Sequence, residues 1–102
     1  MSAPLTEAEF SKHINTKFHL AGENEVDLEL VQVKAYASQP NEHDGMERFS
    51  LFFIGPTKPL LEQKTYSLKH EQMGGLDLFL VPVAQEQGGL RYEAVFNYFR
   101  NQ

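Results

Sequence analysis

Phe49-Ser50-Leu51-Phe52-Phe53-Ile54-Gly55-Pro56 is the most apolar, aromatic and charge-free run of the chain, and Gly-Pro closes it abruptly. A run this short, bounded by turn signals, falls below the length of a typical helix and reads as a buried strand. Alternation puts Phe49, Leu51 and Phe53 on one face and Ser50, Phe52 and Ile54 on the other. Both faces carry bulk, so the reading predicts a central strand covered on two sides. Left exposed, such a run is an aggregation site.

Working outward from it, the flanking segments also alternate. Lys17 to Leu20 is a brief strand with Phe18 and Leu20 inward, and Ala21-Gly22-Glu23-Asn24 turns the chain. Glu25 to Ala37 alternates as Val26, Leu28, Leu30 and then shifts phase to Val31, Val33, Ala35, which is what a bulge produces. Ser38 to Met46 is a polar loop, and residues 57–63 form a second connection. Beyond it, Thr65 to Lys69 is a strand, His70 to Gly75 a turn, and Leu76 to Val83 a second apolar strand. Pro82 cannot donate to a ladder, so its end of that strand belongs at an edge or a bulge. After a turn at residues 86–89, Leu90 to Arg100 is the last strand, with Tyr92, Ala94, Phe96 and Tyr98 on one face.

Upstream of the strands, Leu5-Thr6-Glu7-Ala8-Glu9-Phe10 is a helix start. Thr6 is the N-cap, Glu9 the returning partner of a capping box, and Leu5 and Phe10 the staple. The helix spans about residues 6–14, with Phe10 and Ile14 on a thin apolar face that suits an opening of the core. The expectation is a single mainly β domain over residues 1–102. It has one short helix and about six antiparallel strands across 17–100, in a small barrel or a two-layer sandwich with sequential neighbours mostly paired.

Fourteen acidic residues against nine basic ones give a formal charge of -5, which lacks the clustered basic face of a nucleic-acid binder. With no cysteine, disulfides, thiolate chemistry and Cys-based zinc sites are excluded. No basic-then-apolar leader and no run near ~20 apolar residues is present, so no membrane contact and a cytoplasmic location are expected.

The side chains with chemistry do not converge in the sequence. His43-Asp44 and His70-Glu71 are His–carboxylate neighbours, but adjacent residues on an extended chain point opposite ways, and both pairs fall in turns. Asn41-Glu42-His43-Asp44 lacks the spacing and glycine of a calcium loop. Ser50 has no nucleophile-elbow glycines, and the glycine pairs at 74–75 and 88–89 read as hairpin turns rather than phosphate loops. Tyr92, Phe96 and Tyr98 read first as core, with the tyrosine hydroxyls at the rim and Arg91 and Arg100 bracketing them. No catalytic, cofactor-binding or metal residue is assigned.

Four pieces occur in order: Phe49 to Phe53 with Gly55-Pro56, then Tyr66-x-Leu68-x-His70, then Leu78 to Val83, then Arg91 to Asn97. This combination resembles a family of small bacterial proteins known only as a domain of unknown function, over nearly the whole chain. The family's Gly-Thr-Tyr turn reads Gln63-Lys64-Thr65-Tyr66 here, without the glycine. The resemblance implies genes lying near phage-tail-collar-like proteins, and so a link to tail-like assemblies, and it carries over no catalytic residues. His70, a polar residue at a strand end, fits satisfaction of a turn carbonyl or a partner contact.

The expected function is a non-enzymatic interaction or structural module that binds another protein or a second copy of itself. Edge-strand addition near Pro82 or at residues 17–20 is the expected mode. Its candidate contact residues are His70, Pro82, Tyr92, Arg91, His43 and Asp44. The alternative is a small barrel holding an apolar ligand among the phenylalanines, although a chain of this size usually fills such a barrel with its own side chains.

Overall fold

A computed structural model describes residues 6–20, 26–35, 46–58, 60–86 and 88–99, and the side chains of all of these except 46, 47 and 97–99. One short helix, α1 (Glu7–Ser11), precedes six strands: β1 (Lys17–Leu20), β2 (Val26–Ala35), β3 (Met46–Gly55), β4 (Lys64–His70), β5 (Gly74–Glu86) and β6 (Gly89–Phe99). Every pairing is antiparallel, and the strand order β1-β2-β3-β6-β5-β4 closes on itself. Of the two expected architectures, the chain adopts the closed one.

Closure depends on two pairings between strands distant in sequence. β3 runs against β6 without a break from Met46↔Phe99 to Gly55↔Leu90. β1 meets β4 through only His19↔Lys69 and Leu20↔Leu68, which is the thin seam of the ring. β3 is central, as expected, and Phe49, Leu51 and Phe53 are fully buried. Its other face is less covered than expected. Ser50 is buried there, but Phe52 and Ile54 are half-buried. The Arg91 guanidinium, 4.6 Å from the Phe52 ring centre, supplies part of that cover.

The phase change in β2 is a register shift between Leu30 and Gln32, so the bulge falls at Val31. Pro82 pairs with Tyr92 immediately before a second shift, between Pro82 and Ala84. β5 is longer than the sequence suggested, because Gly74 and Gly75 pair with His70 and Lys69 and so extend the ladder. It also changes neighbours along its length, pairing with β4 over Gly74–Leu80 and with β6 over Val81–Glu86.

Helix α1 is shorter than its cap signal implied. Thr6 Oγ1 accepts from the Glu9 N–H at 3.1 Å, so the N-cap is made. The Glu9 carboxylate instead turns to Lys12 (3.4 Å) and His13 (3.2 Å), and the reciprocal half of the capping box is absent. Asn15 adopts positive φ (73°), its N–H donates to the Leu30 carbonyl, and the Leu30 N–H returns to the Thr16 carbonyl. Strand pairing therefore takes over where the helix was expected to continue. Phe10 is fully buried, its ring 6.0 Å from Phe49 and 5.4 Å from Phe96, so α1 does seal an opening of the core.

Candidate functional site

Two surface features stand out, and the first follows from the way β5 changes neighbours. Leu76, Leu78 and Leu80 point into the core, so alternation turns Phe79 outward; Ala94 inward likewise turns Val95 outward. Phe79 is 50% exposed, Val95 59% and Val83, at the bulge, 45%. Leu60, in the connection before β4, is also exposed. Single exposed apolar residues need no explanation, but three stand on the same hairpin.

Polar contacts join the hairpin to the neighbouring strands. Arg91 donates to Gln32 Oε1 on β2 and lies 3.4 Å from Glu86 Oε2 on β5, while its guanidinium covers Phe52 on β3. Ser50 donates to Glu93 Oε2 at 2.7 Å. These contacts tie the hairpin to β2 and β3.

The second feature is a cavity of about 400 Å³ at the junction of α1, β1 and the β4–β5 turn, lined by His13, Thr16, Lys17, His70 and Glu71 among others. His13 and His70 are both buried, their rings 4.6 Å apart, and His70 also packs 4.3 Å from Phe18. The backbone fixes the His70 tautomer. Its Nδ1 accepts from the N–H groups of Gln72 (3.0 Å) and Met73 (3.1 Å), so the ring proton sits on Nε2 and donates to Thr16 Oγ1 (2.9 Å). The Thr16 hydroxyl in turn donates to the His13 carbonyl at 2.6 Å. A base acting on Thr16 would need its lone pair on Nε2, which this geometry denies, so the pair is a latch rather than an activated nucleophile. Burial, and then the neighbouring His13, lower the His70 pKa, with Glu71 opposing.

The expected contact residues divide accordingly. Arg91 and Pro82 lie half-buried on the β5–β6 hairpin. Tyr92 is buried, and its hydroxyl accepts from the Leu61 N–H at 3.0 Å inside the protein rather than at the rim. That makes Tyr92 a core residue. His70 is the last residue of β4 and binds two turn N–H groups, where a turn carbonyl was expected. His43, Asp44 and the Asn41–Asp44 loop lie outside the described residues. Among those described, no group of three or more His, Asp or Glu is placed to hold a metal ion, and no helix is long and apolar enough to cross a membrane.

The two stretches expected as edges differ in how far they are paired. β1 is paired with β2 along 17–20 but with β4 only at His19 and Leu20, so Lys17 and Phe18 have no described strand on that side. Past Leu80, β5 has β6 on one side and no described strand on the other, so the stretch near Pro82 does lie at an edge. His13 and Thr16 had no signal in the sequence, since 54 residues separate Thr16 from its partner His70. The outward positions of Phe79 and Val95, in contrast, follow from the alternation.

No curated protein and no solved structure matches this chain. A family model described as "Domain of unknown function (DUF6916)" matches residues 5–96, and the chain belongs to that family.

Proposed function

We propose that this member of the DUF6916 family is a non-enzymatic protein-interaction module that docks a protein partner on the outer face of the β5–β6 hairpin. The observation that carries the reading is the contrast between inside and outside. Phe10, Phe18, Leu28, Leu30, Phe49, Leu51, Phe53 and Leu80 fill the ring with no exposure, while Phe79, Val83 and Val95 stand in solvent on one hairpin. A filled interior favours an outer docking face over a ligand held inside the ring. A component of a phage-tail-like assembly, in a bacterial cytoplasm, is the partner we put first; the resemblance of the sequence pieces is its support.

Capture from a lysate of the source organism, comparing the natural chain with Phe79→Asp and Val83→Asp, tests the reading. A protein retained by the natural chain and lost by both variants, with unchanged circular dichroism, is the expected result. Equal capture by all three chains overturns it.

A further inference from the structure

His70 closes the β4–β5 turn with a hydrogen-bond pattern that only the neutral ring can make. Its Nδ1 accepts from two backbone N–H groups at once, Gln72 at 3.0 Å and Met73 at 3.1 Å, and its Nε2–H donates to Thr16. A second proton has to go on Nδ1, where two N–H groups already point. Turning the ring over brings no relief, because an imidazolium carries a proton on both nitrogens. The ring itself has little room to leave. It is buried, 4.3 Å from the Phe18 ring and 4.6 Å from that of His13. The turn has more room. Glu71 and Gln72 are exposed, and Gly74 follows with positive φ (81°) and nothing within 4 Å of where its Cβ would stand.

We propose that the β4–β5 turn is an acid-operated flap: protonation of His70 at Nδ1 drives residues 71–73 off the ring, widens the cavity that Glu71 and Gln72 line, and draws Met73 out of the core. The flap stands apart from the docking face on the β5–β6 hairpin. The groups around the ring fix which state each proton count favours. His13 stands beside it from the α1–β1 connection, with Glu9 of α1 bonded to its Nε2. Lys12 and Lys17 line the same cavity, and Glu71 comes from the turn itself. Burial and then His13 oppose a charge on His70, while Glu71 favours it. The closed turn therefore holds the neutral ring, and a ring released by the turn takes the proton more readily. Met73, buried when the turn is closed, is the apolar side chain that opening brings to water. Directly before His70, β4 meets β1 only at Leu68 and Lys69, so little pairing to β1 holds this corner shut.

The test is nuclear magnetic resonance of the isotope-labelled full chain between about pH 7.5 and 5, the range in which histidines titrate. It follows the imidazole signals, the Met73 methyl and amide hydrogen exchange, the last corrected for the intrinsic effect of pH on exchange. The expected result is protection at the Gln72 and Met73 amides that falls by about tenfold per pH unit below 6.5, while Leu51 and Phe53 keep theirs. The Met73 methyl should shift along the His70 imidazole titration. His70→Gln should lose the pH-dependent fall, and His13→Gln should keep it. Flat protection at Gln72 and Met73 across the range overturns the proposal. So does a fall that survives in His70→Gln or is lost in His13→Gln, or a loss of protection at Leu51 and Phe53 together with the turn. If either variant does not fold, the natural chain decides alone.

Discussion

The His70 ring is buried with His13 beside it, and burial first and that neighbour second lower its pKa, while the N–H groups of Gln72 and Met73 converge on one of its nitrogens. Because the folded state holds His70 below its ordinary value of 6.5, the unfolded chain binds the proton more readily. Stability contributed by the neutral ring is complete above that value and is lost as pH falls through 6.5 toward the lower folded value. Glu9 is also held low, chiefly by its hydrogen bond to His13, and its contribution is lost only as pH falls below the ordinary 4.5. Thermal melts should therefore show a first loss just below neutrality that disappears in His70→Gln. That variant should itself be less stable by about 1–3 kcal/mol, since buried turn donors lose their acceptor. A natural-type acid profile in His70→Gln would contradict this. Gly89 is a second single-residue constraint. With φ of 151°, a Cβ there would meet the Gly55 carbonyl oxygen at 2.0 Å, against backbone that cannot yield. Chemical denaturation of Gly89→Ala should report a loss beyond ~2 kcal/mol, whereas Gly88→Ala, with open space around its Cβ, should stay within about 0.5 kcal/mol of the natural chain. The Gly89 constraint was not visible in the sequence, because it depends on the pairing of β6 with β3 beside Gly55, and the burial of His70 was not, because it depends on His13 and Phe18, distant in the chain.

At the level of elements, the alternation of apolar residues told most of the story. It gave the inward set Phe18, Leu20, Val26, Leu28, Leu30, Phe49, Leu51 and Phe53, all buried, and it located the bulge after Leu30. It misjudged ends where tertiary bonds override local preference. α1 stops early because Asn15 and Thr16 pair with Leu30, and β5 starts early because Gly74 and Gly75 continue the ladder to β4. The capping box was half right, since the Thr6 cap forms while Glu9 serves His13 and Lys12. Thr6→Ala should accordingly cost ~1 kcal/mol in denaturant titration, the ordinary worth of an N-cap. Glu9→Gln should leave the cap intact. A Thr6→Ala chain as stable as the natural one would show that α1 is held by Phe10 alone.

For the whole molecule, closure was the part the sequence could not decide. A barrel and a sandwich share the same strand pattern, and the choice lies in β3 pairing β6 and in β1 meeting β4 across residues 19–20 and 68–69. No local signal encodes pairings of that separation. Closure leaves a packed inside and a hairpin whose outer side chains, Phe79, Val83 and Val95, have no use in the core. On our proposal, the protein docks its partner on this outer face. The most direct test is a titration of the isotope-labelled chain with an apolar anionic dye, followed by nuclear magnetic resonance of backbone amides and leucine methyls. The expected result is shifts gathered at Phe79, Val83, Val95 and their neighbours, with the methyls of Leu28, Leu51 and Leu80 unmoved. Saturable shifts of those interior methyls would show a ligand entering the ring, and would contradict it.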